Sequence, residues 1–132
     1  MTRHVLDHIS LSVSDYARAK AFYTAALAPL GLVPMMEFSD EVTGSTDVVG
    51  FGTAGKPFFW LAAKGRQTPA QHIAFGAATR AEVGAFHKAA LAAGGKDHGA
   101  PGLRPHYHPN YYGAFALDPD GNNIEAVCHE PE

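Results

Sequence analysis

The sequence predicts an α+β fold: two βαβββ modules pairing into a curved mixed sheet that encloses a cavity, with the helices outside. Three observations lead there. First, the chain writes one stretch twice. His8 to Gly31, HISLSVSDYARAKAFYTAALAPLG, returns 64 positions later as His72 to Gly95, HIAFGAATRAEVGAFHKAALAAGG. Alanine matches carry little in an Ala-rich chain, but His8/His72, Ile9/Ile73, Phe22/Phe86, Leu27/Leu91 and Gly31/Gly95 do not arise from composition alone. Second, each copy opens with period-two alternation and continues with helical spacing. Third, each is followed by short apolar runs cut by turn residues, which read as strands. Two copies, rather than an array, indicate a duplicated module folded against itself.

In the first module, about residues 4–64, Val5 to Val13 alternates. Ile9, Leu11 and Val13 share one face, while His8, Ser10 and Ser12 share the other. Ser14-Asp15 caps a helix, along which Ala19, Phe22, Tyr23, Ala26, Leu27 and Leu30 form an apolar stripe. Pro29 and Gly31 end it. Strands follow over Leu32–Phe38, Val48–Gly52 and Phe58–Ala62, separated by turn-rich stretches at 39–46 and 52–57.

The second module, about residues 70–130, repeats this order after the linker 65–71. Its first strand, Gln71–Gly76, sets His72, Ala74 and Gly76 opposite Ile73 and Phe75. Thr79 and Glu82 form a capping box, and Val83, Phe86, Ala90 and Leu91 line the helix that Gly94-Gly95 stops. A long loop, 97–112, precedes a strand at 113–117. The turn Asp118-Pro119-Asp120-Gly121 then leads into a last strand, 122–129.

At 132 residues with a net charge of −3 the chain reads as a single ordinary globular domain. It has no Lys/Arg run of the kind that binds nucleic acid or an acidic membrane. It has neither a signal-peptide pattern nor an apolar run near the ~20 residues that span a bilayer. The lone Cys128 suits a reducing compartment, so a cytoplasmic protein is expected.

The candidate site follows from the alternation. In the last strand Glu125 shares a face with Asn123, Val127 and His129, opposite Ile124, Ala126 and Cys128. If the latter pack on the second helix, Glu125 faces the same interior as His8 and His72. A carboxylate enclosed there must be paired or bound to a cation. Two imidazoles and one carboxylate with open positions suit a divalent metal that also takes substrate, and Fe, Mn, Zn and Ni all accept that set. The same pattern also fits two hydrogen-bonded strand histidines kept by duplication and a glutamate on a solvated face.

The pieces LDHISLSV, AFYTAAL, HIAF and DPDGNNIEAV together resemble the vicinal oxygen chelate superfamily, which includes glyoxalase I, extradiol dioxygenases and bleomycin-resistance proteins. The resemblance implies paired βαβββ modules, usually in a homodimer, acting on a small molecule. It also implies that His8, His72 and Glu125 hold the family's metal-ligand positions. Where glyoxalase I carries a further carboxylate, this chain reads KPFFWLAAK, so the position falls to Phe59 or Trp60. Neither ligates a metal or moves a proton. Dioxygenase-like or lyase/isomerase-like chemistry is expected, with a metal-free binding protein of the bleomycin-resistance type as the alternative.

The loop PGLRPHYHPNYYG supplies the remaining candidates. His106, His108 and Tyr112 are read as proton-transfer residues. Arg104 is a candidate clamp for an anionic substrate, and Tyr111, with Trp60 and Ser10, is a candidate substrate contact. A surface loop whose aromatics pad a dimer contact fits the same residues.

Overall fold

A computed structural model describes residues 5–132; the expected start of the first module, near residue 4, lies outside them. The chain forms β1 (Ile9–Ser12), α1 (Tyr16–Leu27), a 3-10 turn (Ala28–Leu30), β2 (Val33–Phe38), α2 (Asp40–Thr43), β3 (Val48–Thr53) and β4 (Lys56–Ala62). The second half gives β5 (His72–Gly76), α3 (Arg80–Ala92), β6 (Lys96–Leu103), β7 (Tyr112–Leu117) and β8 (Asn123–Cys128). The α+β class and the two βαβββ modules are as expected. The strands make two open four-stranded sheets, β1-β4-β3-β2 and β5-β8-β7-β6, each hydrogen-bonded within its own module.

The two modules share a strand order. β1 runs parallel to β4 with Ile9 beside Phe59 and Ser10 beside Trp60. β5 runs parallel to β8 with Ile73 beside Ile124 and Ala74 beside Glu125. α1 and α3 begin on a side-chain cap: Asp15 accepts from Arg18 N and Thr79 from Glu82 N, each satisfying one orphan donor of a first turn. Glu82 completes its half of the box one residue early, accepting from Ala78 N.

One apolar core runs through both modules, joining Leu11, Phe22, Tyr23, Phe51, Phe59 and Leu61 to Phe75, Val83, Phe86 and Ile124. Phe59 packs edge-to-face on Tyr23 within the first half and, in the same way, on Phe75 across to the second. A polar clasp accompanies it. Tyr23 of α1 is fully buried and donates to Asp118 at 2.5 Å. Asp118 also accepts from Asp120 N, Asn122 N and Asn122 Nδ2. Asp120 in turn accepts from the backbone and hydroxyl of Ser14. Burial, then the neighbouring Asp118 charge, pushes the Tyr23 phenol well above its ordinary pKa.

Four local expectations are corrected. β1 starts at Ile9, not Val5: Val5 and Leu6 are exposed, and continuing the register would set Asp7 beside Pro57, which has no N–H for a ladder. Turn-rich 39–46 contains the short α2. Leu91 is partly exposed because Val83, Phe86 and Ala90 form the buried stripe of α3, and one further residue turns about 100° around the helix. The first half of the expected loop 97–112 is β6, an edge strand with two register shifts. Pro101 and its glycines obscure it in the sequence, yet an edge strand tolerates them.

Candidate functional site

β8 carries the site because its alternation is strict. Ile124, Ala126 and Cys128 are fully buried against the core, which turns Glu125 to the opposite face. There Glu125 is 1% exposed, a carboxylate removed from water. Both of its oxygens are paired. His72 Nε2 donates to Oε1 at 2.8 Å, and the Tyr111 phenol donates to Oε2 in a short hydrogen bond. The Tyr111 phenol is pushed up by burial first, then by its bond to Glu125 and that group's charge, so it stays a donor at neutral pH.

His72, Glu125, Tyr111, Tyr107, His108 and Phe115 line a cleft of about 450 Å³. Sequence reading found four of these. Phe115 was within reach, because β7 alternation sets it opposite Glu125. Tyr107, packed edge-to-face on Tyr111, sits in a loop with no period to announce its direction. His129, set by alternation on the Glu125 face, was given no role from the sequence. His108 Nδ1 accepts from Asn110 N, which leaves the ring proton on Nε2, donated to His129 Nδ1 at 2.5 Å. A metal on His108 Nε2 would need a proton on Nδ1, facing the Asn110 N–H, so this pair suits a shared proton rather than an ion.

The other candidates lie elsewhere. His8 precedes β1 on the first sheet, and its Nδ1 pairs with Asp7 at 2.7 Å, with Lys56 bonded to the same carboxylate. Among the described residues no three His, Cys, Asp or Glu side chains converge as a metal-ligand group. One chain thus brings together His72 and Glu125 but not His8. Arg104 is not free to clamp a substrate: its guanidinium donates to the Gly102 and Ala100 carbonyls and lies over Phe115. His106 is exposed and its ring packs at a tilt on Tyr107. Tyr112 alternates away from the cleft onto the core, beneath Arg80, a correction to its grouping with the loop histidines.

Register also identifies the first-module counterpart of Glu125. Ser10 pairs with Trp60 as Ala74 pairs with Glu125, so Trp60 is the counterpart of Glu125 and Phe59 that of core Ile124. Trp60 lies over Gly50, where a Cβ would approach its ring to 2.8 Å, and stacks with Phe38 at 6.4 Å between centroids. Ser10 is exposed beside it.

His72 and Glu125 fit a shared cation. Imidazole and carboxylate bonds to a transition ion measure about 2.0–2.2 Å, so two at a right angle set their donor atoms about 3 Å apart. The observed 2.8 Å is close to that. The pair offers two donor atoms on the wall of an open cleft.

Comparisons agree with the architecture. The model of the Glyoxalase/Bleomycin resistance protein/Dioxygenase superfamily matches residues 5–126. A glyoxalase/bleomycin resistance protein from Albidiferax ferrireducens superposes with a TM-score of 0.76 at 27% identity, over 97% of this chain and 100% of that one. A glyoxalase/bleomycin resistance protein/dioxygenase family enzyme from Burkholderia phytofirmans shares the fold at a TM-score of 0.68 and 23% identity, over 95% and 98%. A glyoxalase I mutant from Zea mays does so at 0.65 and 24%, over 92% of this chain and 46% of that one. Among curated proteins none matches. No helix among the described residues is long and apolar enough to cross a membrane.

Proposed function

Since this chain belongs to the glyoxalase/bleomycin resistance protein/dioxygenase superfamily, we propose that it is a metal-dependent enzyme acting on a small oxygen-bearing substrate in the cleft. One observation supports this above the rest: the buried Glu125 carboxylate and the His72 imidazole face each other at 2.8 Å on the cleft wall. Burying an anion this deeply is costly unless a cation or a full set of donors compensates. A divalent ion bound there would polarise a substrate oxygen or lower the pKa of bound water. Tyr107, Tyr111 and Phe115 supply an apolar wall, and His108 holds a proton at Nε2 beside it. Trp60 stands where a second carboxylate would be needed for two-carboxylate isomerisation. Dioxygenase-like or single-carboxylate lyase chemistry therefore suits the site better.

The third ligand we assign to His8 of a second copy of the chain, making the working unit a homodimer. After reconstitution with Fe(II), Mn(II), Zn(II) or Ni(II), the protein is expected to hold one ion per chain, and His72→Ala and Glu125→Ala none. A wild-type protein that retains no ion after reconstitution rules the reading out.

The stacked Trp60 and Phe38 favour a second reading, a metal-free binder of apolar molecules. Ligands of the folded state raise the melting midpoint. If Zn(II) raises it and His72→Ala abolishes the rise, the binder reading fails.

A further inference from the structure

We infer that Tyr111 is a positioning residue for Glu125, holding Oε2 so that only Oε1 is presented to His72 and the cleft. The inference rests on the metal-site reading for its consequence, but its geometry stands on metal-free contacts. Glu125 has two oxygens and 1% exposure, so neither can be satisfied by bulk water. Oε1 faces His72. Oε2 is taken by the phenol.

Two further features show that this contact is built. The phenol is fixed from several sides: Tyr111 N donates to His108 O, Tyr111 O accepts from Arg104 N at 2.7 Å, and Tyr107, His108 and His129 pack edge-to-face on its ring. Space for it is reserved by Gly113, where a Cβ would sit 3.2 Å from Glu125 Oε2 and 3.2 Å from Tyr111 Cε1. A side chain at 113 would crowd both partners at once.

A carboxylate with one oxygen held by a phenol is turned so that the other faces the cleft, which favours a single oxygen toward a cation there and leaves coordination positions for substrate. Released from the phenol, Glu125 can turn to offer both oxygens or to leave His72. Outer partners of metal ligands typically contribute between about 10-fold and 100-fold to affinity. Tyr111→Phe removes one oxygen and keeps the ring, so the loop packing is retained.

The test uses the full chain in two states. In the metal-free protein, the 15N signals of the His72 ring report whether Oε1 stays on Nε2. They are expected to shift in Tyr111→Phe; unchanged signals overturn the inference whether or not metal binds. With Co(II) added, Tyr111→Phe is expected to bind at least about 10-fold more weakly than wild type, with altered visible absorption bands. Wild-type affinity and spectrum in the variant overturn the positioning role and leave the metal reading intact. No Co(II) uptake by wild type overturns the metal reading, and the 15N comparison alone then decides the role of Tyr111. Should Tyr111→Phe fail to fold, Gly113→Ala perturbs the same pair by crowding, with the same expected shifts and the same overturning result.

Discussion

At the scale of the residue, the most constrained polar group outside the cleft is Tyr23. Its phenol is fully buried and bonded to Asp118. Removing the hydroxyl leaves Asn122 Nδ2 as the donor to Asp118 Oδ2, a loss of one hydrogen bond to a charged group worth about 1.5–3 kcal/mol. Tyr23→Phe should therefore unfold at lower urea, by about that amount. The pH dependence has a definite sign. The folded-state pKa is raised by burial and by Asp118, so the native state keeps a proton that the unfolded chain releases near pH ~10. Stability from this group is complete below that pH and falls as pH rises above it. Urea midpoints at pH 8 and pH 11 should fall less steeply in Tyr23→Phe than in wild type; equal slopes would contradict the burial of this phenol.

At the scale of the element, glycines mark where a backbone must come close and where it need not. In β3, a Cβ at Gly52 would lie 1.9 Å from the Lys56 carbonyl oxygen. That obstacle is backbone, so Gly52→Ala is expected to destabilise by at least the ~1–3 kcal/mol usual for overpacking. Gly84, inside α3, meets nothing within 4 Å. Gly84→Ala should stabilise by roughly 0.5–1 kcal/mol through helix propensity. Thermal melts of the two variants should thus move in opposite directions. Elements were legible in the sequence wherever periodicity was strong: both helices, their caps and the face of β8 that carries Glu125. β6 was not, because an edge strand broken by bulges around Gly99, Pro101 and Gly102 has no clean period. The cleft was legible to the same degree. His72 and Glu125 follow from alternation, whereas Tyr107 and the His108–His129 pair depend on loop conformation that no repeat encodes.

At the scale of the whole molecule, duplication located both histidines but not their separation. His8 and His72 sit on two sheets with no strand pairing between them among the described residues, so equivalence in sequence does not make them neighbours in one chain. If a second copy supplies His8, mixed dimers give a clear outcome. His8→Ala and Glu125→Ala homodimers should each lose tight Zn(II) binding, while a heterodimer of the two should recover one site out of two. A site closed within one chain would recover none.

The clasp of Tyr23 and Ser14 on Asp118 and Asp120 also bears on how such a chain can be inherited. A duplicated gene begins as two interchangeable copies, and a crossover between them would at first do no harm. Here α1 of the first copy and Ser14 just before it close over the β7–β8 turn of the second through hydroxyls that have no counterpart in the second module, where His87 and Ala78 occupy the positions of Tyr23 and Ser14. Exchanging either half for its sibling removes the Tyr23 hydroxyl from buried Asp118 and the Ser14 hydroxyl from Asp120. The repeat is still visible in the letters, but as a unit of recombination the protein has become indivisible.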